Sequence, residues 1–197
     1  MICDVISIEN MIADYGEEAT QALLSSFSCE RDGKQKNLEV ETFVRNNAID
    51  FYKRKLAVTY LVFDENSDFA GIYSLAHKAI DIPADKLNSR LRKKVARYAR
   101  LDEVRQVYSV SAFLIAQFGK NYEGNKGATI SGQELLDNAM GMLEDAQAIV
   151  SGGLIFLDCE VDNKPALELY ERNGFTAFAE RVSESDGQKY IQILKSF

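Results

Sequence analysis

The stretch NKPALELYERNGF, Asn163 to Phe175, follows an apolar run and carries the signals of a helix start, a helix face and a helix end in one place. Before it, Leu154, Ile155, Phe156 and Leu157 stand behind Gly152 and Gly153, the pattern of a strand buried on both faces. Asp158 and Glu160 mark the strand's polar exit. Asn163 suits an N-cap, and Pro165 sits in the first turn, where a missing N–H costs nothing. Ala166, Leu169 and Tyr170 fall at i, i+3 and i+4 on one helix face. Asn173-Gly174 supplies the left-handed residue that ends the helix, and Phe175 restarts a strand. An amphipathic helix with a buried Tyr and a Gly end needs no function to explain it.

The same residues fill the pattern Asn-x-x-Ala-x-x-Leu-Tyr followed by Gly-Phe, through Asn163, Ala166, Leu169, Tyr170, Gly174 and Phe175. In this the segment resembles the fourth helix of the GNAT N-acetyltransferases. A second segment of that family is matched upstream in altered form. Val107 to Phe118 is rich in Val, Ala, Phe, Leu and Ile, as a central strand is. Helical spacing begins near Ile130, with Leu135, Leu136, Ala139, Met142 and Leu143 on one face. Between them a loop carries Gly119, Gly124 and Gly127 and ends at Ser131-Gly132.

Strand, Gly-rich loop and helix start together make an anion site, because unpaired N–H groups and the positive helix end face the loop. The resemblance implies that this loop cradles the pyrophosphate of acetyl-CoA. Gly132-Gln133-Glu134-Leu135-Leu136 matches the family's closing Gly-x-x-Leu-Leu. Either Glu123-Gly124 stands for the family's Gln-Gly, or Gly127-Ala128 for its Gly-Ala. Aligning both ends leaves extra residues between Gly124 and Gly132, so the loop is longer than usual. Lys120 and Lys126 lie in it as point charges for phosphate.

Composition fits one globular domain over residues 1–197. The chain is 46% hydrophobic, with no repeat and no apolar run near the ~20 residues that span a bilayer. Met1 to Asn10 lacks a basic segment followed by an apolar one, so no secretory signal is expected. Cys3, Cys29 and Cys159 have no spacing for metal or redox work; a cytoplasmic setting fits, with Cys159 as a small buried apolar residue.

Elsewhere, Asp4 to Ile8 suits an edge strand and Glu9 to Phe27 a helix. Asp32-Gly33-Lys34 marks a loop, and Val40 to Lys55 has helical spacing. Leu56 to Phe63 and Phe69 to Ile80 form a hairpin across Asp64 to Asp68. Beyond Ala84, Leu87, Leu91, Val95 and Tyr98 line one face of a helix that the family pattern does not require, an insertion. Phe175 to Val182 and Lys189 to Leu194 close the chain as a hairpin across Ser185-Asp186-Gly187.

Acetyl transfer to an amine needs a neutral nitrogen, a positioned thioester, a donor for the developing oxyanion and an acid for the departing thiolate. The resemblance implies that the backbone of Ala116, Gln117 and Phe118 pairs with the pantetheine arm and offers the oxyanion donor. It assigns the pyrophosphate to Lys120, Gly124, Lys126, Gly127, Ala128, Ser131 and Gly132, and protonation of the sulfur to Tyr170. Asn163 has two compatible roles, as N-cap and as pantetheine contact. Glu160, with Asp158 beside it, is the candidate general base; as strand-end carboxylates both also need no role. His77, the only histidine, shares a strand face with Tyr73 and Leu75 and is read as structural, with a substrate-side role as the alternative.

A formal net charge of -7 argues against a broad nucleic-acid surface and favours a cationic or neutral amine, in a small molecule or a protein. One exception is local: Arg90, Arg92, Lys93, Lys94, Arg97 and Arg100 crowd the inserted helix, as a solvated face or as a binding patch. Some GNAT proteins are toxins that acetylate the amino group of aminoacyl-tRNA, and Leu114 to Phe118 and Leu169 to Phe175 look similar to that branch. Such toxins are typically basic, which places tRNA second here. A third alternative is a non-catalytic GNAT module that binds acetyl-CoA or a partner protein.

The expectation is therefore an α/β chain with the GNAT fold: a mixed central sheet of about six to seven strands flanked by helices, with an inserted helix before the long central strand. The resemblance implies a cytoplasmic N-acetyltransferase that uses acetyl-CoA as co-substrate by direct attack of the amine. Neither metal nor membrane is implied, and homodimer formation is left open.

Overall fold

A computed structural model describes residues 1–31, 33–34, 36–183 and 187–197, without the side chains of 125, 126 and 128. Strand β1 (Ile2–Ser7) ends where the Ser7 hydroxyl accepts from Asn10 N and caps α1 (Ile8–Tyr15). The single helix expected over Glu9 to Phe27 is two, because Gly16 takes φ 84 between α1 and α2 (Glu17–Ser25). That left-handed conformation breaks the i to i−4 ladder at little steric cost only for glycine. The helix expected over Val40 to Lys55 is likewise split at Asn47 into α3 (Leu38–Asn46) and α4 (Ala48–Lys53).

The expected hairpin is present as β2 (Val58–Asp64) and β3 (Phe69–Pro83), and Asp64 Oδ1 holds its turn by accepting from Asn66 N and Asp68 N. The inserted helix is α5 (Ser89–Val95), capped by Asn88 Oδ1 on Leu91 N. It buries Leu91 and Val95, while Tyr98, expected on the same face, lies beyond its end and is exposed. Then come the two-residue β4 (Leu101–Asp102), the long β5 (Val107–Lys120), α6 (Gly132–Val150), β6 (Leu154–Glu160), α7 (Lys164–Arg172), β7 (Thr176–Val182) and β8 (Lys189–Ser196). Ser185 and Asp186, expected in the last turn, and Asp32 lie outside the described residues.

The strands pair in the order β1-β2-β3-β5-β6-β8-β7, with β4 on β5. The sheet is thus mixed, as expected: β5 and β6 are parallel through Phe113↔Ile155 and Leu114↔Phe156, and β6 is antiparallel to β8. The chain divides into two compact units, Met1–Ala76 with Ile115–Gly141, and His77–Leu114 with Met142–Phe197. In the first, Ile8, Leu24, Phe27, Val44, Leu61 and Ile72 form a core with no exposure. In the second, Val95, Leu154 and Ile155 are fully buried, and Leu91, Leu157 and Leu194 nearly so.

Asn121, just past β5, is fully buried in the first unit. Its Oδ1 accepts from Ser28 N at 2.9 Å and from Glu123 N at 3.1 Å, and its Nδ2 donates to Phe69 O at 2.8 Å. Its own N–H donates to Ala70 O. One side chain therefore ties the segment after α2, the start of β3 and the loop after β5. Asn121→Ala should lower stability by about 2–5 kcal/mol, because it strips buried backbone groups of their partner. Urea unfolding measures this as a fall in midpoint at unchanged slope.

Candidate functional site

In the first unit, Ala116, Gln117 and Phe118 occupy the last part of β5, with Ala116 exposed and the other two half-buried. The loop after this strand is not open: Glu123–Ala128 winds into a 3-10 helix. Gly124 sits in it at φ 60. Gly127 is buried against Asn121, whose carbonyl oxygen would lie 2.4 Å from a Cβ at that position. Gly127 is thus required by the packing of the loop. The side chains of Lys126 and Ala128, both expected at the phosphate, lie outside the described residues.

Lys120 points back into the unit, with Nζ donating to Ile130 O at 3.1 Å and standing 5.4 Å from the Tyr122 ring centre. Arg31 stands over the same ring at 5.6 Å. Burial, and then the nearby Arg31 charge, hold the Lys120 pKa below its usual value.

Ser131 and Glu134 form a reciprocal cap at the start of α6. Ser131 N donates to Glu134 Oε2 at 2.8 Å, and Glu134 N donates to Ser131 Oγ at 3.0 Å. The Ser131 N–H expected to face a phosphate is therefore already bound to a carboxylate, and the Glu134 N–H beside it is also taken. The Ser131 N–H and hydroxyl bonds hold the Glu134 pKa below its usual value.

In the second unit, Asn163 caps α7 as expected, its Oδ1 accepting from Ala166 N at 3.4 Å. This places Tyr170 on the buried face, edge-on to the Phe175 ring at 5.7 Å between centres. Burial, and then the neighbouring Cys159, raise the Tyr170 pKa well above its usual value, so the hydroxyl holds its proton at neutral pH. Cys159 is buried as expected, its thiol pushed up to about 12 by burial and then by Glu160 and Asp158.

Tyr170 lines a cavity of about 560 Å³ together with Ile191 and Ile193 of β8 and with Asn88, Arg90, Leu91 and Lys94 of the inserted segment. Cross-strand partners share a sheet face, and β6 pairs Cys159 with Ile191 and Leu157 with Ile193. The Tyr170 side of β6 is therefore the Cys159 side. Glu160 pairs with Tyr190, which also pairs with Arg181, so Glu160 lies on the opposite face from Tyr170. Asp158 shares that opposite face and binds Arg181 Nε at 2.6 Å, with the guanidinium over the Tyr190 ring at 4.6 Å. It is an ion-paired carboxylate rather than a solvated strand end. His77 meets Ser111 Oγ at 3.2 Å and the Phe113 ring at 4.7 Å, contacts that fit its structural role.

The sequence marked the cations of the inserted helix but not their place beside Tyr170. No local signal reports it, since Arg90 and Tyr170 come to line one cavity only through the folding of the second unit.

No protein-family model matches the chain, and no curated protein matches it in sequence. Solved structures do match it in shape. A tyrosine-to-phenylalanine mutant of KacT has a TM-score of 0.59 at 16% identity, over 96% of this chain and 94% of that one. AtaT complexed with acetyl-methionyl-tRNAfMet has a TM-score of 0.54 at 16% identity, over 85% of each chain. AtaTR bound with AcCoA has a TM-score of 0.52 at 15% identity, over 96% of this chain and 92% of that one.

The chain has the GNAT fold. In this chain α6 follows the long strand β5 and its loop, and α7 follows the parallel strand β6.

Because the Glu134 pKa is lowered in the folded state, its carboxylate stabilises the fold above the ordinary glutamate value of 4.5 and loses that effect as pH falls through the lowered value. Glu134→Gln should therefore melt below the parent at neutral pH, and the gap should close on acidification. A gap independent of pH in thermal melts would leave the charge without a role.

Proposed function

We propose that residues 1–197 form a single N-acetyltransferase domain that transfers the acetyl group of acetyl-CoA to the amino group of an aminoacyl-tRNA. The observation that carries this is Tyr170: a buried, protonated hydroxyl on an Asn-capped helix, lining an open cavity in a GNAT fold. The choice of acceptor is supported by the likeness to AtaT complexed with acetyl-methionyl-tRNAfMet, and that of cofactor by the likeness to AtaTR bound with AcCoA. Aminoacyl-tRNA, second to other amines on the sequence alone, thus becomes the first choice.

In this scheme the backbone of Ala116, Gln117 and Phe118 aligns the pantetheine arm and donates to the oxyanion. Gly124, Ala128 and Gly132, with Lys126, meet the pyrophosphate, and Asn163 meets the pantetheine arm; Lys120, Gly127 and Ser131 are engaged instead by Ile130, Asn121 and Glu134. The neutral amine attacks the thioester carbon, the C–S bond breaks, and Tyr170 gives its proton to the leaving thiolate. Glu160 takes the proton of the new ammonium through water.

Two observations favour other readings. The net charge of -7 suits a small cationic amine, and the Glu134 cap, which already occupies part of the α6 start, suits a non-catalytic module. Calorimetric titration with acetyl-CoA separates these. Micromolar binding, about -8 kcal/mol, is expected; no binding would sink the enzyme and leave the module. Tyr170→Phe should lower turnover of aminoacyl-tRNA by about 100-fold, in line with loss of a general acid. Its acetyl-CoA affinity should stay intact, and a parallel loss of folding would reduce Tyr170 to a packing residue.

A further inference from the structure

The apolar alternation of β1 is interrupted at Asp4. Asp4 pairs with Phe63 and Ile6 with Leu61, so all four share the sheet face that packs on the core of the first unit. A carboxylate thus stands in an apolar row. Because β1 is the edge strand, an inward charge there discourages pairing with other chains, which explains Asp4 taken alone. It does not explain the surroundings.

Asp4 lines a cavity of about 490 Å³, in the range of sites that hold one small ligand, and every residue lining it belongs to the first unit. Its wall is apolar, with Ile6 and Phe63 from the sheet, Met11 from α1 and Leu23 from α2. Tyr15, one turn from Met11, also lines it yet is 64% exposed, a large ring left in water. A second lining carboxylate, Asp64, is only 1% exposed. Its Oδ1 serves the β2-β3 turn, while Oδ2 is buried without a hydrogen bond. The Thr129 hydroxyl, followed by the Asp68 and Asn66 N–H groups, outweighs burial and holds the Asp64 pKa below its usual value, so the group is charged at neutral pH. Among the described residues, neither Asp4 nor Asp64 has a lysine or arginine at ion-pair distance. A buried charge with an unbonded oxygen is costly until a donor reaches it.

Two carboxylates without a basic side chain, an apolar wall and an exposed ring match one chemistry, a primary ammonium on an apolar body. The ammonium supplies charged donors, and the ring and wall cover the body. An anion of the same shape is repelled.

We propose that the cavity between β1 and the helices α1 and α2 binds an amphipathic primary amine, its ammonium held by Asp4 and Asp64 and its apolar body by Ile6, Met11, Leu23 and Phe63. No residue assigned above to acetyl transfer lines this cavity. It is therefore a second site, and it does not rest on the proposed function.

The test titrates the full-length protein, without acetyl-CoA, with phenethylamine, 2-phenylethanol and phenylacetate in a calorimeter. The amine should bind about tenfold or more tightly than the alcohol, the worth of a hydrogen bond to a charged group, and the acid should not bind. Cys3, an exposed thiol lining the cavity, reports the location. With phenethylamine at about ten times its Kd, alkylation of Cys3 by iodoacetamide, read by peptide mass spectrometry, should slow about tenfold. Asp64→Asn keeps an oxygen for the turn and should weaken the amine about tenfold or more, and Asp4→Asn should weaken it in the same direction. Asp14→Asn, an exposed carboxylate outside the lining, should match the parent. If Asp64→Asn melts early, Asp4→Asn and the amine-to-alcohol ratio carry the test. Equal binding of the alcohol and the amine, an unchanged rate of Cys3 alkylation, or full affinity in Asp4→Asn and in folded Asp64→Asn each overturns the proposal.

Discussion

The first unit depends on one buried amide. Asn121 satisfies backbone groups of Ser28, Phe69 and Glu123, three segments that have no other reason to meet at that point. A buried side-chain amide holds its neighbours more strictly than apolar packing does, because leaving any of these groups unpaired costs as much as several methylenes of burial gain. The chain on either side inherits its position from this amide. Gly127 must be glycine because it lies against the Asn121 carbonyl, and Lys120 turns inward to Ile130 O instead of outward into the loop. The backbone thus arrives at Ser131 in the place where its hydroxyl and Glu134 can cap α6.

The second unit depends on strand register. The pairing of β6 with β8 puts Cys159, Ile191 and Ile193 under α7, and Glu160, Tyr190, Arg181 and Asp158 on the other face. A slip of one residue would exchange the two sets, bringing carboxylates under Tyr170 and exposing the apolar wall. The raised pKa of Tyr170 is thus a consequence of register as much as of its own residue type. The ion pair of Asp158 with Arg181, stacked on Tyr190, helps to hold that register from the opposite face.

The helix α7 was legible because each of its signals is local. Asn163, Pro165 and Gly174 act through hydrogen bonds and dihedral preferences within one or two turns. The breaks at Gly16 and Asn47 were missed because apolar periodicity continues across them, and one non-helical residue hardly alters a pattern averaged over a long window. In the loop after β5, glycines suggested open backbone for a phosphate. Gly127 instead serves close packing, and the start of α6 is partly satisfied from within. A glycine reports that a Cβ does not fit, not what takes its place.

By itself the sequence determined the element order from the hairpin β2-β3 onward apart from β4, the insertion, the Tyr170 helix and the cap at Asn163, since each rests on contacts close along the chain. Only the tertiary structure decided where the charges lie. It gave Asp158 a partner, set Glu160 across the strand from Tyr170, and brought Arg90 and Lys94 to the tyrosine's cavity. The reason is physical: the field at a site is the sum over groups near in space, and residues about eighty positions apart become neighbours only when strands and helices have packed.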